Sequence, residues 1–285
     1  MQFSQWDLTS PLTYVQRTST VANTRTYTVR FDPGQRDPPP KKGRTMNSPK
    51  RLARLAGALY LAVGVLGGFA EGFVEPAMYV RGDAAATAHN LVTNTALVRL
   101  GVVADLADQV VFVILALVLA ALLRHVHRGA ARAMAVLVVL AAAVASLNVA
   151  FEYAGLQVAT GAVDLSSLGT GGSHALALLL LDTQHYGLLA AQVFFGAWLV
   201  PLGYLALKSG WFPKALGVLL VVAGGCYLAD VMTAFLLPEV ARTIHPFLVI
   251  PCVTIAEVWM VFYLLIVGVR TNRSVEPVER VMATA

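Results

Sequence analysis

The chain has 285 residues, of which 57% are hydrophobic and only 13% are charged, and its mean hydropathy is +0.68. Soluble domains usually carry about 25% charged residues, so roughly half of the charge that keeps a folded surface in water is missing. This shortfall excludes a soluble enzyme, a disordered regulator and a nucleic-acid binder. The formal net charge of +5 follows from the placement of basic residues described below, so it requires no nucleic-acid partner.

Residues 1–45 are polar and contain no apolar stretch long enough for the core of a signal peptide. They end in a proline-rich segment, and clustered prolines oppose both helix and sheet. We expect a disordered polar tail over residues 1–45. A second interpretation stays open, in which Met46 is the native start, because the segment Met46-Asn47-Ser48-Pro49-Lys50-Arg51 is a natural opening for a membrane helix.

From Leu52 onward, apolar runs alternate with short polar breaks. A helix that spans a bilayer needs about 20 apolar residues. Lipid excludes unpaired backbone polar groups, and the runs lack the two-residue alternation of a membrane barrel. We therefore expect an all-α integral membrane bundle over residues 46–270, followed by a short tail at 271–285. Its six transmembrane helices are predicted at about 52–74, 99–123, 133–159, 185–207, 214–237 and 246–269.

Lys and Arg residues are distributed unevenly between the two sides of this predicted bundle. The two terminal flanks and the second and fourth breaks hold fourteen of them, whereas the other breaks hold only Arg81, Arg99 and Arg242. Positive residues favour the cytoplasmic side of a membrane. We expect both termini to be cytoplasmic, in the plasma (inner) membrane. The glycine- and serine-rich segment 161–173 is then a flexible outer loop.

Acidic residues occur within the predicted spans, where a charge costs a few kcal/mol and usually faces the bundle interior or a wet cavity. With the topology above, these acids lie in the outer half of the membrane or near its midplane. We predict an outward-facing acidic cavity that binds a cation, a proton or a small molecule. The candidate residues are Glu71, Asp105, Asp108, Glu152, Asp230 and Glu257 in the cavity, and Asp182, His185 and Arg99 at its rim.

The spacing of these acids favours one shared site. Asp105 and Asp108 are three residues apart and share a helix face. Helix rise places these two residues, Asp230 and Glu257 at overlapping depths, with His185 at the mouth. A structural alternative stays open, in which protonated acids hydrogen-bond across helices and hold the bundle together. Its expected partners are Ser146, Asn148, Tyr153 and Tyr227.

Motifs that would indicate an enzyme are absent from the sequence. It contains neither Gly-x-Ser-x-Gly nor His-Glu-x-x-His, so no catalytic residue and no cofactor is assigned. The main expectation is cation- or proton-linked transport or small-molecule binding. A metal-dependent membrane hydrolase is the alternative, and a non-catalytic scaffold is a third. The side chains of types that zinc accepts are His174, His185, His245, Asp108 and Asp182.

A series of short motifs runs from about Pro49 to Arg270. They are Ala53-Arg54-Leu55-Ala56-Gly57-x-Leu59-Tyr60, Gly82-Asp83-Ala84-Ala85-Ala86-Thr87-Ala88-x-Asn90, Arg99-Leu100-Gly101-x-x-Ala104-Asp105, His185-x-Gly187, Phe194-Phe195-Gly196, Leu202-Gly203-Tyr204-Leu205, Ser209-Gly210, Pro213, Leu216-Gly217 and Tyr227-Leu228-x-Asp230, with Glu257 in the last span. Together they resemble a family of multi-pass bacterial membrane proteins catalogued as domain of unknown function 4386. The resemblance covers about three quarters of the chain and leaves out residues 1–45. It implies a fold and a membrane location, without an activity.

Overall fold

The computed structural model describes residues 49–270, apart from the side chains of residues 242 and 245–253. Within these ranges all regular secondary structure is helical, which confirms the all-α class. The tails predicted at 1–45 and 271–285 lie outside the described residues. The helices are α1 (Pro49–Phe69), α2 (Glu75–Met78), α3 (Ala84–Thr93), α4 (Thr95–Leu123), α5 (Arg128–Ala159), α6 (Gly169–Ser209), α7 (Lys214–Leu236) and α8 (Pro238–Phe262), with π-helical segments at Ala70–Val74 and Tyr263–Val267 and a 3₁₀ turn at Ser166–Leu168.

Five helical stretches within the described part are long and apolar enough to cross a membrane, which supports the membrane character expected from the sequence. In the sixth predicted run, the apolar stretch that is described, Thr254–Val267, is shorter. It covers the end of α8 and the π-helical segment that follows. The five long stretches are Pro49–Met78, Thr95–Leu123, Arg128–Ala159, Ser166–Ser209 and Lys214–Leu236.

The long helices pack in chain order around a closed ring. Each of α4, α5, α6, α7 and α8 packs on the long helix before it, starting from α1. The ring closes because α8 and the π-helical segment Tyr263–Val267 pack on α1. The short helix α3 lies against α5 and α6. As a result, six helices present side chains to one shared interior.

Two apolar clusters occupy opposite ends of this ring, with polar side chains between them. We call the end that carries α2, α3 and the start of α6 the cap end, and the opposite end, with the turns at 124–127 and 210–213, the turn end. Between the clusters lie the polar stretches 105–109 on α4, 148–152 on α5 and 184–192 on α6. The cap cluster is Val74, Met78, Leu91, Val98, Leu156, Ala177 and Leu181. The larger cluster includes Leu115, Leu119, Met134, Trp198, Leu202 and Leu216.

Helix α6 differs most from its prediction. The sequence predicts a loop at 161–173 and a span that starts at 185, but the helix begins at Gly169 and continues for 41 residues. At about 1.5 Å per residue it is roughly 60 Å long, about twice the thickness of the hydrocarbon layer. Ala177 and Leu181 are buried in the cap cluster, and this packing outweighs the weak helix propensity of the glycines. Asp182 and His185 therefore lie within a helix rather than at its start.

Helices α6 and α7 approach each other closely at two glycine pairs. A Cβ at Gly203 would stand 2.7 Å from the carbonyl oxygen of Gly217, and a Cβ at Gly224 would stand 2.7 Å from that of Gly196. Small residues of this kind let helix backbones approach in membranes. The close approach places Tyr227 of α7 beside the interior of the ring.

Candidate functional site

A cavity of about 350 Å³ lies inside the ring, between the cap end and the larger apolar cluster. Side chains from α1, α4, α5, α6, α7 and α8 line it, and so does the π-helical segment after α1. Among the described residues, the lining contains no Lys, Arg or His. Four carboxyl groups face a space without a fixed positive charge. They belong to Glu71, Asp105, Asp108 and Glu257.

Glycines on α1 provide room for the cavity. Gly64 and Gly68 line it and have no neighbouring atom within 4 Å of where a Cβ would stand. A Cβ on Gly67 would lie 3.7 Å from Asp108 Oδ2, so the carboxylate packs against bare backbone. Glu71 follows one turn later, within the π-helical segment Ala70–Val74. Single-turn π segments of this kind are frequent at functional sites.

Five buried polar atoms have no hydrogen-bond partner within the described part of the protein, and all five belong to lining residues. Leaving such an atom unpaired costs about 1–3 kcal/mol, and native proteins pair nearly all of them. Their concentration here indicates that the cavity holds water or a polar ligand. The atoms are Tyr60 Oη, Asp108 Oδ1, Gln109 Oε1, Asn148 Nδ2 and Gln192 Oε1.

Two amide side chains, those of Gln109 and Asn148, lie beside the carboxyl groups of the cavity. Gln109 Nε2 donates to Asp108 Oδ2 at 3.1 Å, which leaves Asp108 Oδ1 without a partner. On the facing helix, a Cβ at Gly187 would overlap the amide of Asn148. The absence of that side chain therefore allows the Asn148 amide to lie between α5 and α6.

Four aromatic rings meet at the turn end of the cavity. The Trp198 ring lies 5.1 Å from that of Phe112, at 83°, and 5.8 Å from that of Tyr60. The rings of Phe112 and Phe195 are 5.7 Å apart. Glu257 lies beside Tyr60 and Tyr227 at this end. The cavity thus joins a carboxyl-rich part to an aromatic part.

The structure brings only some of the predicted acids to this cavity. Glu152 and Asp230 are buried, with exposed fractions of 2% and 1%, but they are not among the lining residues. Arg99 is exposed on α4 and is also outside the lining. The predicted acids that do line the cavity are Glu71, Asp105, Asp108 and Glu257.

The predicted rim residues Asp182 and His185 bond to the chain that leaves α1. Tyr79 Oη donates to Asp182 Oδ1 at 2.5 Å. His185 Nε2 lies 2.9 Å from Arg81 Nη2, and its Nδ1 lies 3.1 Å from Glu75 Oε1. Arginine only donates, so Nε2 accepts and Nδ1 donates to the carboxylate.

Ionisation of Tyr79 is affected by the same contacts. Burial, followed by the hydrogen bond that its hydroxyl donates to Asp182, raises the pKa of Tyr79 to about 12. The nearby charge of Asp182 acts in the same direction, and Arg81 opposes it. The neutral phenol is therefore the form that this contact stabilises.

Several residues of the site are not among those predicted from the sequence. Glu75 and Arg81 fall at or beyond the end of the first predicted span, although Glu75 follows Glu71 by four residues, which is one helical turn. Gln109 and Gln192 lie within predicted apolar runs, and Gln184 directly precedes the fourth. A polar amide in such a run also needs a partner away from lipid. Glutamines in apolar runs could therefore have been added to the candidate residues on the same grounds as the acids.

The two alternative roles gain little from the described residues. Among them, no three His, Cys, Asp or Glu side chains are placed to hold one metal ion, and the side chain of His245 lies outside the described set. Tyr153, an expected partner of the buried acids, is 42% exposed and accepts a hydrogen bond from Gln157. Asn148 Nδ2 has no partner.

A comparison with known families matches residues 55–268 to a family model described as Domain of unknown function (DUF4386). The match includes every residue that lines the cavity and all of the ring except the first six residues of α1. No curated protein and no solved structure matches the chain.

Proposed function

Because the chain belongs to the DUF4386 family, whose function is unknown, we propose a function from its cavity. The cavity binds a cation or a proton inside an integral membrane protein, and this binding is linked to transport across the membrane. No step of the proposal needs a metal or a cofactor. A cation or a proton is the ligand that the four lining carboxyl groups can bind.

The observation that carries this proposal is the set of five unpartnered polar atoms around one cavity. In a purely structural polar layer, buried groups pair with each other. Here Asp108 keeps one oxygen bonded to Gln109 and the other unpartnered. A ligand that donates hydrogen bonds or carries a positive charge would pair with the Asp108 oxygen that has no partner within the described part of the protein.

The proposal includes a topology. The sixth span is formed by α8 with the π-helical segment Tyr263–Val267, which completes the ring. In the sequence, fourteen Lys and Arg residues lie in the terminal flanks and in the second and fourth breaks and only three in the other breaks, and positive residues favour the cytoplasm. The cap end then faces outward, both termini are cytoplasmic, and the membrane is the plasma membrane. Glu71 and Asp105 lie in the cap-side part of the cavity.

Reconstitution of the full chain into liposomes, with an internal pH dye in one preparation and an internal Na⁺-sensitive dye in another, tests this function. We expect a flux of protons or Na⁺ down an imposed gradient, and at least a tenfold slower flux in Asp108→Asn. The matched control is Asp164→Asn, because Asp164 is exposed in the loop after α5. Equal fluxes in the wild-type protein, in Asp108→Asn and in empty liposomes would exclude transport.

Binding can be measured separately from transport by thermal unfolding at different pH values and Na⁺ concentrations. Carboxyl groups that share a cavity titrate as a set. Asp105→Asn and Asp108→Asn should therefore change the pH profile of the melting temperature non-additively, whereas Asp105→Asn and Asp164→Asn should combine additively. A profile that depends on neither ions nor these residues would identify a scaffold.

A further inference from the structure

The two ends of the cavity differ in chemistry. On α4, the lining runs from Asp105 to Phe112, a rise of about 10 Å. On α6 it runs from Gln184 to Trp198, about 21 Å. Both helices lead from the cap end to the turn end, so Asp105, Asp108 and Gln184 lie towards one side and the rings of Phe112 and Trp198 towards the other, where Glu257 also lies. A single ion bound at the carboxyl groups of Asp105 and Asp108 would be too small to contact the rings of Phe112 and Trp198 as well.

The unpartnered atoms of the cavity are mostly acceptors. Gln109 Oε1 and Gln192 Oε1 can only accept a hydrogen bond, Asp108 Oδ1 accepts in the ionised carboxylate, Tyr60 Oη can accept or donate, and Asn148 Nδ2 alone is restricted to donating. The residues of four of these atoms are more than nine-tenths buried: Tyr60, Asp108, Gln109 and Asn148. The ligand that matches this set carries several N–H donors and a positive charge.

The aromatic part requires a second property of the ligand. Trp198, Phe112, Phe195 and Tyr60 form a continuous group of rings along the cavity wall. Aromatic rings bind apolar groups, and their faces attract cations within about 6 Å. A volume of about 350 Å³ falls within the range of small-molecule sites, about 300–1,000 Å³. The cavity is therefore suited to an organic molecule.

We propose that the cavity binds a protonated organic amine. Its ammonium group donates to Asp108 Oδ1 and to the neighbouring carboxyl and amide oxygens, and its apolar or aromatic part lies on the rings of Trp198, Phe112 and Phe195. This inference rests on the proposed function, because it names the class of cation that the cavity takes. The described residues form no three-ligand metal site, which is consistent with a ligand held by hydrogen bonds.

Thermal unfolding of the full-length protein in lipid nanodiscs, with four probes, tests the ligand class. We expect 2-phenylethylammonium to raise the melting temperature saturably. Methylammonium, which has the charge without the ring, should bind at least tenfold more weakly. The neutral isostere 2-phenylethanol should produce no saturable shift, and Na⁺ should not reproduce the effect of the amine.

Variants at the two ends of the cavity separate the contributions. Asp108→Asn should abolish the shifts caused by both amines. Phe195→Leu and Trp198→Leu should weaken 2-phenylethylammonium about tenfold and leave methylammonium unchanged. Phe195 is only partly buried, so its variant reports binding even if Trp198→Leu fails to fold. The matched control is Trp259→Leu, because Trp259 is 38% exposed on α8 and outside the lining.

The outcomes distinguish this inference from the function on which it rests. If protons, Na⁺ or methylammonium bind through Asp108 while the phenyl group adds no affinity, an amine held by its apolar or aromatic part is excluded and the cation site stands. If 2-phenylethanol binds as well as the amine, the cavity takes neutral amphipathic molecules instead. If no probe or proton acts through Asp108, both the inference and the proposed function are wrong.

Discussion

Two hydrogen-bonded groups tie α6 to the segment that leaves α1, one turn beyond the carboxyl-rich part of the cavity. Tyr79 bonds to Asp182, and Arg81 and Glu75 bond to the two nitrogens of His185. The Tyr79 and His185 rings also stack, with centroids 5.8 Å apart. Because these contacts cross from one helix to another near Gln184, they hold the cap end of the cavity in place.

The Tyr79 contact predicts a change of stability at alkaline pH. The pKa of Tyr79 is about 12 in the folded protein, above the ordinary value of about 10. A raised pKa stabilises the neutral form, so the contribution is complete below about pH 10 and is lost as the pH rises to 12. The melting temperature of Tyr79→Phe should therefore lie below that of the wild type at pH 8. The difference should shrink as the pH rises above 11, because the wild-type contact is then lost. A constant difference across this range would contradict it.

The bonds of His185 predict a loss of stability in His185→Ala. Removing a ring that is bonded at both nitrogens to charged groups should cost about 1–3 kcal/mol of unfolding free energy. The control is His89→Ala, because His89 is exposed and its contact with Thr93 is 3.5 Å long. We expect the control to change stability by less than about 0.5 kcal/mol. Equal losses in urea or thermal unfolding would show that the His185 contacts do not stabilise the fold.

At the scale of helices, five of the six spans predicted from the apolar runs correspond to long apolar helical stretches, because the burial of apolar residues in lipid depends on composition and length. The start of α6 was not predictable in this way. Gly169, Gly171 and Gly172 each lower helix propensity by about 1 kcal/mol relative to Ala, which indicates a loop. Only the packing of Ala177 and Leu181 on other helices, which has no local signal in the sequence, makes this segment helical.

The site shows the same division. Asp105, Asp108 and Glu257 can be selected from the sequence because an ionisable side chain at membrane depth costs free energy unless it faces the bundle interior. This cost does not distinguish them from Glu152 and Asp230, which are buried outside the lining. Whether a buried acid faces a cavity depends on helix rotation and neighbouring volumes. These are set by tertiary contacts rather than by the spacing of residues.

The contact between α6 and α7 predicts opposite effects for two adjacent glycines. A Cβ at Gly224 would stand 2.7 Å from the carbonyl oxygen of Gly196, whereas a Cβ at Gly225 meets nothing within 4 Å. Gly224→Ala should therefore separate the helices and cost about 1–3 kcal/mol. Gly225→Ala should be neutral or stabilise the protein by up to about 1 kcal/mol, since Ala favours helix. Thermal unfolding of both variants measures this, and equal stabilities would contradict the close approach of the helices.

At the scale of the whole molecule, the polar cavity lies between two apolar clusters that have different roles. The larger cluster holds the six helices of the ring together, and the cap cluster joins α3 and the start of α6 to the end of α5. A helix of roughly 60 Å exceeds the hydrocarbon layer. We infer that the first part of α6 projects beyond that layer at the cap end. The carboxyl-rich part of the cavity is then nearer to water than its aromatic part.

The orientation of this arrangement predicts which loops react from outside the cell. In the proposed topology, the bias of basic residues in the sequence puts the turn end in the cytoplasm. After replacement of Cys226 and Cys252 by alanine, a membrane-impermeant maleimide should label Val163→Cys in intact cells, because Val163 is 48% exposed in the loop before α6. Gly129→Cys, which is exposed at the start of α5, should react only after the membrane is permeabilised. Labelling of Gly129→Cys in intact cells, with protection of Val163→Cys, would reverse the orientation and make the carboxyl-rich part of the cavity open to the cytoplasm.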